Sequence, residues 1–170
     1  MTARADLVVN RWNARFLGRQ FVCSIGRGGI VPAETKREGD GATPAGRYRI
    51  LGCFARMDRL WLNRLPIPVA PTTHRSIWSD DPADSRYNTG LVADNYPYSH
   101  EKLRRSDGLY DLLAVIDHNQ PAVPGFGSAI FLHCWRRPRY PTAGCVAFAR
   151  ADLHWILANW SKHSRVYIRL

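Results

Sequence analysis

Apolar and polar positions change period several times along the chain, and most of those changes predict strands. Leu7-Val8-Val9-Asn10 and Gln20-Phe21-Val22-Cys23-Ser24-Ile25 are β-branched and aromatic runs, and Phe16-Leu17-Gly18-Arg19 between them offers a turn, so an early antiparallel hairpin is expected. Gly26-Arg27-Gly28-Gly29 and Glu38 to Gly46 are dense in turn formers, after which Arg47-Tyr48-Arg49-Ile50-Leu51 resumes a strand pattern. From about Asp58 to Asn95 the chain is rich in Pro, Asp and Asn without sustained periodicity, which predicts long ordered loops. Tyr110 to Asp117 and Ser128 to His133 are continuous apolar runs of the kind found in buried strands, and Val146-Ala147-Phe148 continues the sheet. The helical period is sustained once, from Arg150 to Ser161, where Leu153, Ile156, Leu157 and Trp160 share a face and Asp152 lies near the positive N-terminal end. A shorter helical turn is expected from Ser99, with Glu101 and Leu103 inside it, and Arg165 to Arg169 alternates as a closing strand. No repeat, low-complexity tract or linker divides the chain, so residues 1–170 are expected to form one mainly β domain with one clear helix in its C-terminal half.

A length of 170 residues at 45% hydrophobic content can bury a core without disulfides or metal. The four cysteines, Cys23, Cys53, Cys134 and Cys145, include no C-x-x-C pair and no tight framework, which argues against a stapled secreted scaffold. Met1 to Asp6 has no apolar core or small-residue cleavage site, and no apolar run is long enough to span a membrane; the chain is expected to be soluble and unprocessed. The net charge of +10 comes from twenty-one Arg and three Lys set against fourteen acidic residues. That balance suits an anionic partner. Nucleic acid is not the expected one, because the arginines are scattered from Arg4 to Arg169 and match no nucleic-acid-reading motif. The dense group is Arg136-Arg137-Pro138-Arg139, either a solvated loop or a set of guanidinium forks for substrate carboxylates.

That loop lies between the residues best placed for chemistry. Cys145 sits in Thr142-Ala143-Gly144-Cys145-Val146, twelve positions after His133, which ends the run Ala129-Ile130-Phe131-Leu132. A base at the end of one strand and a thiol at the start of the next can meet if the strands pair, which is the arrangement a cysteine nucleophile needs. Gly144 is expected to let backbone N–H groups beside the sulfur face a developing oxyanion. Cys134 adjoins His133 on one strand, so its side chain is expected on the opposite face. A zinc site from His133, Cys134, Cys145 and His154 lacks close ligand pairs, and Gly26 to Gly29 matches no phosphate loop. Neither a metal nor a cofactor is expected. Trp78, Tyr87, Tyr96 and Trp135 are candidates for a groove or for core lids. Trp135, Thr142 and Ala143 are expected to contact substrate with Arg136, Arg137 and Arg139.

The strand before His133 and the T-A-G-C-V run resemble the active-site signature of YkuD-type L,D-transpeptidase catalytic domains, a histidine, a loop and then [S/T]-x-G-C. Glu38-Gly39-Asp40-Gly41-Ala42-Thr43-Pro44-Ala45-Gly46 is similar to that family's E-G-D-x-x-T-P-x-G segment, and Trp78-Ser79-Asp80-Asp81-Pro82 with Tyr87-Asn88 resembles one branch of it. The resemblance implies an antiparallel β-sandwich or barrel-like core with long ordered loops, and a cysteine acyltransferase of bacterial peptidoglycan stem peptides. It implies that Cys145 attacks at diaminopimelate of a tetrapeptide stem, releases D-alanine and passes the acyl group to an amine. His133 would be the base, oriented by the main-chain carbonyl of Cys134. A hydrolase or carboxypeptidase, or a non-catalytic basic polymer-binding module, are the alternatives. The resemblance also implies acylation by carbapenem-type β-lactams and a place at the cell envelope or periplasm, while the missing leader leaves the cytoplasm open. Ala143 and Ala147 stand where many members have His and Arg or Asn.

Overall fold

The computed structural model describes residues 5–60 and 65–170. Three short strands, β1 (Leu7–Val9), β2 (Asn13–Phe16) and β3 (Arg19–Val22), form a meander. The turn expected at Phe16 to Arg19 is present: Leu17 and Gly18 both have positive φ, 49° and 84°. That is the tight two-residue turn whose twist matches its strands. The strand entering it is β2 rather than Leu7 to Asn10, and its exposed–buried alternation is the period-two mark of a half-buried strand.

The remaining strands of this sheet are β4 (Ile30–Pro32), β5 (Thr43–Tyr48) and, from the far end of the chain, β14 (Val166–Ile168), in the order β3-β2-β1-β14-β5-β4. Thr43 to Gly46, expected among the turns, is thus extended backbone. β5 lies between two neighbours, and a ladder on each side overrides the local turn preference of Pro44 and Gly46. At Arg49 the chain leaves for the second sheet. Its N–H and Nε donate to the Asp117 carboxylate at 2.7 and 2.8 Å, and Asp117 N–H returns to the Arg49 carbonyl at 3.0 Å.

The second sheet contains β6 (Ile50–Ala55), β7 (Val69–Pro71), β11 (Leu112–Ile116), β12 (Phe131–Cys134) and β13 (Val146–Phe148), in the order β13-β12-β11-β6-β7. A third, β10-β8-β9, is built from β8 (Ser76–Ser79), β9 (Gly90–Val92) and β10 (His100–Lys102). The region from Asp58 to Asn95 is therefore not only loop; β7, β8 and β9 are too short to show a period among its Pro, Asp and Asn. Residues 61–64 of that region lie outside the described residues. The helical turn expected at Ser99 is β10, whose pairing with β8 supplies hydrogen bonds that an isolated turn lacks. The architecture is a mainly β sandwich, and its ladders are mixed: β1–β14, β4–β5, β6–β7 and β12–β13 run parallel.

The helix α1 (Arg150–Ala158) packs on β11 and β12 with Leu153, Ile156 and Leu157 buried. Trp160, beyond its end, stacks on Phe16 at 5.4 Å, and Trp155 meets the same ring edge-on at 6.2 Å. The strands β11, β12 and β13 are buried along their whole length because both faces are covered. Leu112, Ala114, Leu132, Cys134, Val146 and Phe148 join the main core with the helix and the first sheet. Leu113, Val115 and Phe131 face a second core with Trp78, Leu103, Tyr110 and Cys145.

Phe16 is fully buried between two tryptophans. Phe16→Ala is expected to cost about 3–5 kcal/mol, read as the change in unfolding free energy from denaturant titration; a loss under about 1 kcal/mol would show that the aromatic contact does not anchor the helix.

Candidate active site

The second core stops short of the surface and opens into a cavity of about 940 Å³, whose wall includes both Cys145 and His133. Alternation on β12 explains this placement: Phe131 and His133 point to the cavity side, Leu132 and Cys134 to the main core. Cys134 Sγ lies 3.7 Å from the Leu112 carbonyl, away from the cavity. Among the described residues no three His, Cys, Asp or Glu side chains converge as a metal would need.

Three stretches of backbone shape the Cys145 loop. Gly144 has φ +145°, and a Cβ there would stand 3.0 Å from the Ala42 carbonyl oxygen and 3.3 Å from Ile130 Cδ1. A Cβ on Gly26 would come within 2.2 Å of the Gly41 carbonyl oxygen, so no other residue fits at that crossing. Thr43 Oγ1 accepts from Gly26 N–H at 2.8 Å and donates to the Gly144 carbonyl at 2.8 Å, joining the T-P-x-G segment to the T-x-G-C loop. Within the loop, Thr142 Oγ1 donates to the Cys145 carbonyl at 2.6 Å and accepts from Gly144 N–H at 3.1 Å. The Gly144 N–H, expected to face an oxyanion, is thus engaged by Thr142. Among the described residues the Cys145 N–H meets no acceptor and remains available.

The sulfur itself is held by main chain. Cys145 Sγ donates to the Ala129 carbonyl at 3.1 Å and accepts from Phe131 N–H at 3.3 Å. Ala129 reaches that position only with φ +52°, a left-handed conformation that costs a residue with a Cβ roughly 1–2 kcal/mol. Asn88 sustains it. Its Oδ1 accepts from Ala129 N–H and from Trp78 Nε1, both at 3.1 Å, and its Nδ2 donates to the His118 and Asn119 carbonyls, both at 3.2 Å. All four hydrogen-bonding positions of this buried amide are filled. Sequence reading singled out Asn88 only as part of a resemblance; its polar type beside Tyr87 in a Pro- and Asp-rich segment gave no sign of burial.

His133 Nδ1 lies 2.8 Å from the Cys134 carbonyl. A carbonyl can only accept, so the neutral ring carries its proton on Nδ1 and leaves Nε2 as the basic nitrogen. Tyr110 stands edge-on to the ring at 5.2 Å. Burial pulls the imidazole down to about 4, and burial, followed by the charge of Glu101, pushes the Cys145 thiol up to about 12. Burial thus favours the neutral form of both the thiol and the imidazole.

Of the residues expected to contact substrate, Trp135, Arg136, Thr142 and Ala143 line the cavity. Arg137 and Arg139 do not: both are exposed, Arg137 over the Tyr140 ring at 5.0 Å and Arg139 at a backbone φ of +59°. The other cations on the wall are Arg27, Lys36, Lys102 and Arg105, scattered in sequence and gathered only by folding. Lys36 is buried, with Nζ at 2.7 Å from Asp40 Oδ1 and 2.6 Å from the Arg37 carbonyl. Trp78 and Tyr87 are lids rather than cavity wall; Trp78 packs edge-on against Phe131 at 5.1 Å, and Tyr87 hydroxyl donates to Glu38. Tyr96 hydroxyl donates to Asp84.

A thiol and a histidine, the residue types used together in cysteine-dependent acyl transfer, thus line one cavity of a mainly β domain. Residues 4–168 match the family model of the YkuD L,D-transpeptidase catalytic domain, and the chain belongs to that family. Its members are cysteine-dependent cell-wall enzymes that act on peptidoglycan peptides. No curated protein and no solved structure compared with the chain gave a match. Among the described residues no helix is long and apolar enough to cross a membrane.

Two outcomes are expected from this geometry. A thiol raised to about 12 stays protonated below that value, so thiolate absorbance, measured as wild type minus Cys145→Ala, should be absent from about pH 5 to about pH 9; a signal within that window would mean a preformed ion pair with His133. Asn88→Ala strands the Trp78 and Ala129 donors and should lower the unfolding free energy by about 2–4 kcal/mol, whereas a surface-like change under about 0.5 kcal/mol in thermal or denaturant unfolding would remove Asn88 from the support of the site.

Proposed function

We propose that the protein is a peptidoglycan L,D-transpeptidase that works through a thioester on Cys145. The observation that carries this reading is the joint placement of Cys145 and His133 on one cavity wall, the thiol held by Ala129 and Phe131 and the ring fixed on the Cys134 carbonyl. With both groups neutral at rest, the proton moves from Sγ to His133 Nε2 as the thiol leaves Ala129 and attacks the stem-peptide carbonyl at diaminopimelate. The Cys145 N–H faces the oxygen that becomes negative, with Gly144 providing the bend that turns it there. The imidazolium then protonates the departing amine of D-alanine, and an amine of a second stem replaces the sulfur.

Charge on the wall suits such a substrate. Arg27, Arg105 and Arg136 supply donors for the carboxylates of a stem peptide, and Arg guanidinium forks hold carboxylates at two points. Ala147 is the register partner of His133 on the neighbouring strand and lines the same cavity, so the ring has a methyl beside it where many relatives by resemblance carry a polar side chain. The expected location at the cell envelope follows from the substrate.

Incubation with a disaccharide-tetrapeptide, read by mass spectrometry, should give crosslinked dimer with loss of D-alanine; tripeptide alone would identify a hydrolase, and unchanged substrate with retained binding a non-catalytic module. A carbapenem should add once to wild type and to Cys134→Ala and not to Cys145→Ala, which should lose turnover while keeping its fold. An adduct mapped to Cys23, Cys53 or Cys134 would displace Cys145 as nucleophile.

A further inference from the structure

One group in the cavity works against the nucleophile it surrounds. Glu101, in β10, lines the same wall as Cys145, and its negative charge opposes ionisation of the thiol. A carboxylate beside a sulfur that must become anionic slows the first chemical step unless it serves another one. The structure holds it firmly in place. Its Oε1 accepts from the Tyr110 hydroxyl at 2.6 Å and lies 3.7 Å from Arg105 Nη1, while its backbone is fixed by the register of β10 against Trp78. Among the described residues Oε2 meets no donor. Asp80 lines the cavity as well, and among the described residues its buried Oδ1 meets no hydrogen-bond partner.

The step with an opening for this carboxylate is the second half of the transfer. An incoming acceptor arrives as a primary ammonium and ends as an amide nitrogen, so it must lose two protons, whereas His133, neutral again after releasing D-alanine, can accept one. We propose that Glu101 is a further catalytic residue: its carboxylate receives the acceptor's ammonium beside the Cys145 thioester and removes the first of those protons. This rests on the transpeptidase reading above. The free amine then attacks the thioester carbonyl, forming the C–N bond. His133 takes the second proton, the C–S bond breaks, and the thiolate recovers its proton from His133; Glu101 returns its own to solvent. Burial raises the Glu101 carboxyl above its ordinary value, the direction that strengthens it as a base, while Tyr110 and Arg105 oppose that rise. Water carries no positive charge and gains less from this contact than an ammonium does, so Glu101 favours amine over water.

The same acid also supports Tyr110 against His133, and the test separates the two roles. With a disaccharide-tetrapeptide as donor and acceptor, the ratio of dimer to tripeptide should fall roughly tenfold to a hundredfold in Glu101→Gln and recover in part in Glu101→Asp. Carbapenem acylation of Cys145 in Glu101→Gln should become faster, because an opposing charge has been removed. Tyr110→Phe, which keeps the carboxylate, should change acylation and transfer together and leave the ratio alone. An unchanged ratio in Glu101→Gln, an equal fall in Tyr110→Phe, or a wild type that makes only tripeptide overturns the assignment. A wild type that forms no carbapenem adduct on Cys145 overturns the thioester reading beneath it, a distinguishable result.

Discussion

Strand β12 has both faces buried, and everything at the site depends on how it divides its side chains. Leu132 and Cys134 point into the main core, where the helix and the first sheet cover them, while Phe131 and His133 point into the smaller core and its cavity. A one-residue slip would exchange the two sets, placing a polar ring in the apolar core and a second thiol in the cavity. The register with β11 and β13 prevents that slip, since Leu113 and Ala147 flank His133 on either side. Imidazole placement is therefore a consequence of core packing, and the ring's orientation follows from the carbonyl of the next residue.

The Cys145 loop is positioned by contacts between backbones. Gly26, Ala42 and Gly144 approach so closely that added methyl groups would collide, and Thr43 bridges the strands with one hydroxyl used as donor and acceptor. This explains why two motifs about a hundred residues apart both need glycine and threonine: they are opposite sides of one contact. The thiol is held in turn by Ala129, whose strained backbone is supported by the four hydrogen bonds of Asn88. Strain of this kind persists where the surroundings over-determine it.

Burial decides the electrostatics. It disfavours charge on Cys145 and on His133 alike, lowering the imidazole and raising the thiol. The cavity wall mixes cations from separate parts of the chain with the carboxylates of Glu38, Asp80 and Glu101. Such a wall suits a zwitterionic substrate better than a polyanion, whose repeated charges would meet both signs.

Much of this protein was determined by local sequence. The continuous apolar runs of β11 and β12, the helical face of Leu153, Ile156 and Leu157, the Leu17-Gly18 turn, and the spacing of His133 and Cys145 were legible because period and turn chemistry act over a few residues. The opposite facing of Cys134 followed from strand alternation alone. Strands β7 to β10 were not legible, since three or four residues carry too little pattern and their pairing energy comes from distant partners. Only the tertiary structure left Arg137 and Arg139 off the cavity wall, brought Arg27, Lys36 and Arg105 to it, made Asn88 a buried hub and put Glu101 on the same wall as Cys145. Those placements depend on which backbones cross and what each burial excludes, and neither is written in the neighbours of a residue along the chain.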